Sequence, residues 1–138
     1  MSPSSGILDF MSDDLRRVLV VDDEPATSRA IMRVLREAYE VETAASGEEG
    51  VEKLASFRPD IIISDLQMPG LGGEQLLEEA QRLFPDSIRL VLTGHQSEDS
   101  WLPLDPSVSA YLAKPWSNEK LLSILAQLLD ERSRRRSS

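Results

Sequence analysis

The chain reads as an α/β protein, a doubly wound parallel sheet with helices packed on both faces. Three features of the sequence predict it. Short runs rich in Val, Ile and Leu recur at 17–21, 41–44, 61–64, 88–92 and 110–113. After the first three runs and after the last, apolar residues fall three and four apart, the spacing of one helix face. Runs one, three and four are nearly all apolar, as suits strands buried on both faces. Strands that alternate with helices in this way pack most naturally as a parallel sheet with right-handed crossovers.

Taken in order, residues 1–14 are small, polar and aperiodic, and read as a flexible leader; the domain is expected over 15–131 and a basic tail over 132–138. Strand 1 ends in Asp22-Asp23-Glu24, and Pro25 suits the first turn of the helix that follows. Ala30, Ile31, Val34 and Leu35 share one face of that helix. Ser46 with Glu49 offers a capping box for the second helix, whose face carries Val51, Leu54 and Ala55 before Arg58-Pro59-Asp60 ends it. Strand 3 delivers Ser64 and Asp65. The third helix presents Leu76, Leu77, Ala80 and Leu83 and stops at Pro85-Asp86.

Strand 4 closes on Thr93, and the pattern then breaks. Pro103 and Pro106 cannot sit inside a helix without removing hydrogen bonds and clashing with the preceding turn. A helix between strands 4 and 5 is therefore short or broken, one or two turns from Glu98 to Leu102 capped by Ser97. Strand 5 leads to Lys114, and the last helix places Leu121, Leu122, Leu125, Leu128 and Leu129 on one side.

Composition narrows the function. With 138 residues the chain has the size of one domain with short tails. Cysteine is absent, which excludes disulfides, thiol nucleophiles and thiolate metal sites, and fits a cytoplasmic protein. The longest apolar runs are far too short to span a bilayer, and no basic-then-apolar leader marks secretion. The net charge is −9, yet four of the fifteen basic residues crowd the last seven positions. The span from Arg16 to Glu131 carries −10, a field that repels nucleic acid and favours divalent cations or basic partner surfaces.

Polar residues collect where the strands end. Asp22, Asp23 and Glu24 follow strand 1, Asp65 closes strand 3, Thr93 follows strand 4 and Lys114 follows strand 5. Ligands of open α/β sheets bind at that edge. Three carboxylates gathered there would raise one another's pKa unless a cation offsets them. Carboxylate oxygens without His or Cys select magnesium rather than zinc. An acidic pair before a helix is often only a cap, so Asp22-Asp23 alone would say little. With Asp65 as an aspartyl nucleophile, and Lys114 and Thr93 to hold phosphoryl oxygens, the set points to phosphoryl transfer.

Four motifs then resemble one family. Val18-Leu19-Val20-Val21-Asp22-Asp23-Glu24, Asp65-Leu66-Gln67-Met68-Pro69-Gly70, Leu92-Thr93-Gly94 and Tyr111-Leu112-Ala113-Lys114-Pro115 are similar to the receiver domains of response regulators, over about residues 16–131. The resemblance implies a flavodoxin-like five-stranded sheet in the order 2-1-3-4-5. It implies that Asp65 takes a phosphoryl group from a sensor histidine kinase or phosphotransfer protein and so changes binding to a downstream protein. Asp23, Asp65 and the Gln67 carbonyl would bind Mg2+ directly, and Asp22 would act through metal-bound water. Lys114 would pair with Asp65 or its phosphate, Thr93 would turn to the phosphate, and Tyr111 would change rotamer on activation. The Lys114-Pro115 bond would be cis.

Plainer readings stand beside these. Tyr111 also fits a half-buried strand aromatic, and Thr93 an ordinary strand-end residue. His95, the only histidine, either tunes hydrolysis of the phosphate together with Gln67 or is a loop histidine without a role. The glycines after Asp65 lack the Lys-Ser/Thr of a nucleotide loop. The proline-broken segment alters a face that receivers commonly use for output, with Trp101 and Leu102 packed inward or exposed to a partner. The Arg132–Ser138 stretch reads as a solvated end, a linker or a phosphate-binding arm. Two other functions compete with the phosphoacceptor switch. One is a receiver-like binding module that works without phosphate. The other is a magnesium-dependent phosphatase, disfavoured because such enzymes place an Asp-x-Asp after strand 1.

Overall fold

The computed structural model describes residues 15–65, 72–93 and 108–137, with side chains through Arg135. Five strands run parallel: β1 (Arg16–Val21), β2 (Tyr39–Ala44), β3 (Ile61–Asp65), β4 (Ile88–Thr93) and β5 (Ala110–Ala113). Their order is β2-β1-β3-β4-β5, the doubly wound arrangement expected. The described helices are α1 (Pro25–Leu35), α2 (Gly47–Phe57), α3 (Gly73–Leu83) and the C-terminal α4 (Asn118–Ser137). The segment between β4 and β5 that holds Pro103 and Pro106 lies outside the described residues.

Alternation along the central strands divides the core into two layers. Val18 and Val20 of β1, Ile61 and Ile63 of β3, and Leu90 and Leu92 of β4 face α1 and α4, where Ile31, Leu35, Leu121 and Leu125 meet them. Leu19, Val21, Ile62 and Val91 face the other way, onto Leu54 and Phe57 of α2 and Leu76, Leu77 and Ala80 of α3. Both layers being apolar is why these strands read as unbroken hydrophobic runs. Gly50 lets α2 sit close: a Cβ there would come within 3.2 Å of the Leu76 and Val21 side chains.

Local signals place the helix ends. Pro25 opens α1. Ser46 caps α2 by accepting from the Glu49 amide at 3.1 Å, while the Glu49 carboxylate accepts from the Ala45 amide at 2.9 Å, one residue earlier than a full capping box requires. Arg58 ends α2 in the left-handed conformation at φ 56°.

Two expectations are corrected. The predicted faces of the helices are too wide: Ala30, Ala55, Leu83 and Leu122 lie in solvent, because each helix touches the sheet along a narrow stripe. Strand 4 is nearly all apolar as expected, and its one charged residue, Arg89, is buried and donates to the Ser87 carbonyl and hydroxyl at 2.9 Å each. Finally, the chain does not pass into a solvated basic tail at residue 132. α4 continues through Ser137, and Arg132 is 4% exposed, donating to the Asp86 carbonyl at 3.1 Å and pairing with Asp60 at 3.6 Å. A guanidinium whose donors are engaged can be buried, and this one carries the helix past the expected boundary at 131.

Candidate functional site

All strands of a parallel sheet end at the same edge, so residues that follow β1, β3, β4 and β5 meet there. β1 and β3 are direct neighbours, with Val21 opposite Ser64. Asp22 and Asp65 each stand one residue further on and so face each other. Together with Asp23 they form a cluster in which one oxygen of each carboxylate lies within 4.8 Å of the others. Asp65 pairs with Leu92 in β4, which puts the buried Thr93 one step beyond. The Lys114 amide donates to the Thr93 carbonyl at 2.7 Å, and the Lys114 ammonium reaches Asp65 Oδ2 at 3.4 Å. The five residues singled out from the sequence thus stand at one edge. The Lys114–Pro115 bond is cis.

Asp22 lies deepest, 1% exposed. Its amide donates to the Ala44 carbonyl at 3.1 Å, and its Oδ1 accepts from the Glu24 amide at 2.8 Å. Its Oδ2 is buried and has no hydrogen-bond partner among the described residues. Burial pushes the Asp22 carboxyl above the usual carboxylate range, and the charges of Asp65 and Asp23 push the same way. The Glu24 amide and the Lys114 charge oppose them. The site therefore holds more negative charge than its own groups compensate. An orphaned buried oxygen beside two further carboxylates, with no His or Cys among the described residues nearby, fits a hard divalent cation.

Tyr111 sits on β5 opposite Val91, half-buried against the layer that contains Leu19 and Val91. Gln67, His95, Trp101 and Leu102 lie outside the described residues. The sequence reading missed the Glu24 amide as the group that orients Asp22. Its signal was present, because an Asp side chain commonly bonds the amide two residues on, here just before Pro25.

Residues 18–126 match the response regulator receiver domain family. Among curated proteins, the chain is 34% identical over 122 residues to the hydrogenase transcriptional regulatory protein HoxA of Cupriavidus necator, covering 87% of this chain and 25% of that protein. It is 36% identical over 115 residues to the response regulator MprA of Mycolicibacterium vanbaalenii, covering 82% and 50%. The chain therefore spans half or less of the length of these relatives. Among solved structures, the CheY-like receiver domain protein of Methanospirillum hungatei superposes with a TM-score of 0.81 at 33% identity, covering 88% of this chain and 99% of that one. The chemotaxis protein CheY4 of Vibrio cholerae gives 0.75 at 31% identity, covering 83% and 98%. With fold and sequence in agreement, the chain belongs to the response regulator receiver domain family.

Proposed function

We propose that the chain is the phosphoacceptor switch of a two-component system, in which Asp65 takes a phosphoryl group from the phosphohistidine of a sensor kinase or phosphotransfer protein. The observation that carries this reading is the Asp65 carboxylate set between the Lys114 ammonium and the Asp22–Asp23 pair. An Asp65 oxygen attacks phosphorus; the O–P bond forms as the donor's N–P bond breaks, and the electron pair returns to the imidazole. Lys114 holds a phosphoryl oxygen, and the Thr93 hydroxyl holds another. Asp22, Asp23 and Asp65 would hold Mg2+, which when bound neutralises charge on the phosphoryl oxygens. Asp22, oriented by the Glu24 amide, keeps its Oδ2 facing this work rather than a protein donor.

By sequence position, the Gln67 carbonyl would join the metal, Tyr111 would change rotamer on activation, and His95 would tune hydrolysis. The outcome is altered binding to a downstream protein, not turnover of a substrate. Among the described residues no helix is long and apolar enough to cross a membrane, and we place the switch in the cytoplasm. Incubation with Mg2+ and acetyl phosphate should add one phosphoryl group by intact mass. The gain should vanish on chelation and in Asp65→Asn. A gain that survives in Asp65→Asn, or none in the native protein, overturns the proposal.

A further inference from the structure

Both ends of the described chain leave the sheet at its N-terminal edge, opposite the acidic cluster. Arg16 begins β1 there, and the end of α4 is fixed there through Arg132. At this edge lies an open cavity of about 390 Å³ whose apolar walls are Pro59, Leu83, Phe84 and Pro85. Leu83 is 39% exposed, an apolar side chain left in solvent on the wall. Arg58 holds the rim, its left-handed backbone setting the guanidinium 5.8 Å over the Phe84 ring. The rest of the lining is polar, with Arg132 paired to Asp60 at 3.6 Å and donating to the Asp86 carbonyl at 3.1 Å.

We propose that the cavity docks the chain's own leader, through residues 7–11. Three observations name this occupant. Its chemistry matches: residues 1–14 include Ile7, Leu8, Phe10 and Met11 for the apolar walls and Asp9, Asp13 and Asp14 for Arg58 on the rim, with no basic residue. Its attachment matches, because the Arg17 amide donates to Asp60 Oδ2 at 3.0 Å and the Asp60 amide donates to the Arg17 carbonyl at 2.8 Å. The chain thus enters β1 in contact with a residue that lines the cavity. Phe10 precedes Arg17 by seven positions, a stretch that reaches at most about 24 Å, ample for the cavity. Its size matches as well, since the volume equals that of about a dozen waters, enough for one aromatic and one aliphatic side chain. Tethering supplies an effective concentration on the order of millimolar, so modest affinity suffices. The dock is independent of phosphoryl chemistry at Asp65, since it lies at the other edge.

The chain has no cysteine, so an engineered pair reports proximity cleanly. Phe10→Cys combined with the exposed Leu83→Cys should close an intramolecular disulfide under mild oxidation. Adding Ile7→Ser and Leu8→Ser should slow closure by about tenfold or more, to the rate of random contact of a tether. Raised ionic strength should slow it too, through screening of the Asp–Arg attraction. A pairing of Phe10→Cys with Glu74→Cys, at the far end of the same helix α3, should close no faster than that background. Equal closure rates with and without the two serines overturn the proposal. Disulfide-linked dimers as the main product overturn it as well, by giving the cavity to a second copy.

Discussion

At the C-terminal edge of the sheet, three carboxylates lie within 4.8 Å of one another with one ammonium at 3.4 Å. At the N-terminal edge, charges are matched. Asp60 accepts from the Arg17 amide and pairs with Arg132, Arg132 donates to the Asp86 carbonyl, and Arg89 donates to Ser87. One edge is complete as it stands; the other contains a buried oxygen with no partner. The two edges therefore do different jobs. The matched edge fastens α4 and the β3 and β4 entrances to one another, and the acidic edge carries a repulsion that a divalent cation can relieve. Stability is held at a distance from the chemistry.

The largest test strikes the matched edge. Arg132→Ala should cost about 2–3 kcal/mol, less than a fully buried pair because Asp60 is partly exposed, and should lower the thermal midpoint by roughly 10 °C. Mg2+-dependent phosphorylation of the protein that remains folded should be unaffected. Arg132→Lys should fall between, since an ammonium cannot span both Asp60 and the Asp86 carbonyl as a fork does. A loss below about 0.5 kcal/mol would mean that this edge does not fasten the fold.

The second test should change sign. Asp22→Asn removes a buried negative charge, so without metal the variant should be more stable than the native protein. Folded Asp22 keeps its proton to higher pH than the unfolded chain does, for which the ordinary value is 3.8. Native stability without metal should therefore fall as pH rises from that value through the raised one, and Asp22→Asn should flatten the fall. Added Mg2+ should stabilise the native protein and leave the variant nearly unmoved. If thermal melts show Asp22→Asn destabilised in chelator, the acidic edge is not under the repulsion inferred.

The smallest effect sharpens the contrast between paired charges in water and paired charges in the fold. Glu79 and Arg82 form a close pair on the surface of α3. Glu79→Gln should leave the melting midpoint within experimental error, since exposed pairs gain little over their hydrated partners. A measurable loss there would show that pairing itself, rather than burial, makes Arg132 matter.

Much of this was legible in the residues. Val18 to Val21, Ile61 to Ile63 and Leu90 to Leu92 are apolar on both faces because both faces are covered, and that pattern needs no coordinates to read. The acidic edge was legible for a related reason. In a parallel sheet, the residue after each strand must arrive at a common edge, so Asp22, Asp65, Thr93 and Lys114 could be gathered from strand endings alone. The matched edge was not legible. Arg132 stands in a run of Arg and Ser that reads as solvent-facing, and nothing local distinguishes it from Arg134 or Arg135. Likewise, Arg89 was hidden in a strand and Leu122 in a leucine pattern.

The sequence by itself thus determined the order of elements, the two-sided burial of the central strands and the residues of the acidic edge, because periodicity and strand direction are properties of the chain. Only the tertiary structure decided which arginines are buried and how far α4 runs. It also decided that Asp22 leaves one oxygen without a partner. Those depend on donors and acceptors that lie up to 72 residues apart, as with Arg132 and Asp60, and only the folded sheet brings them within reach.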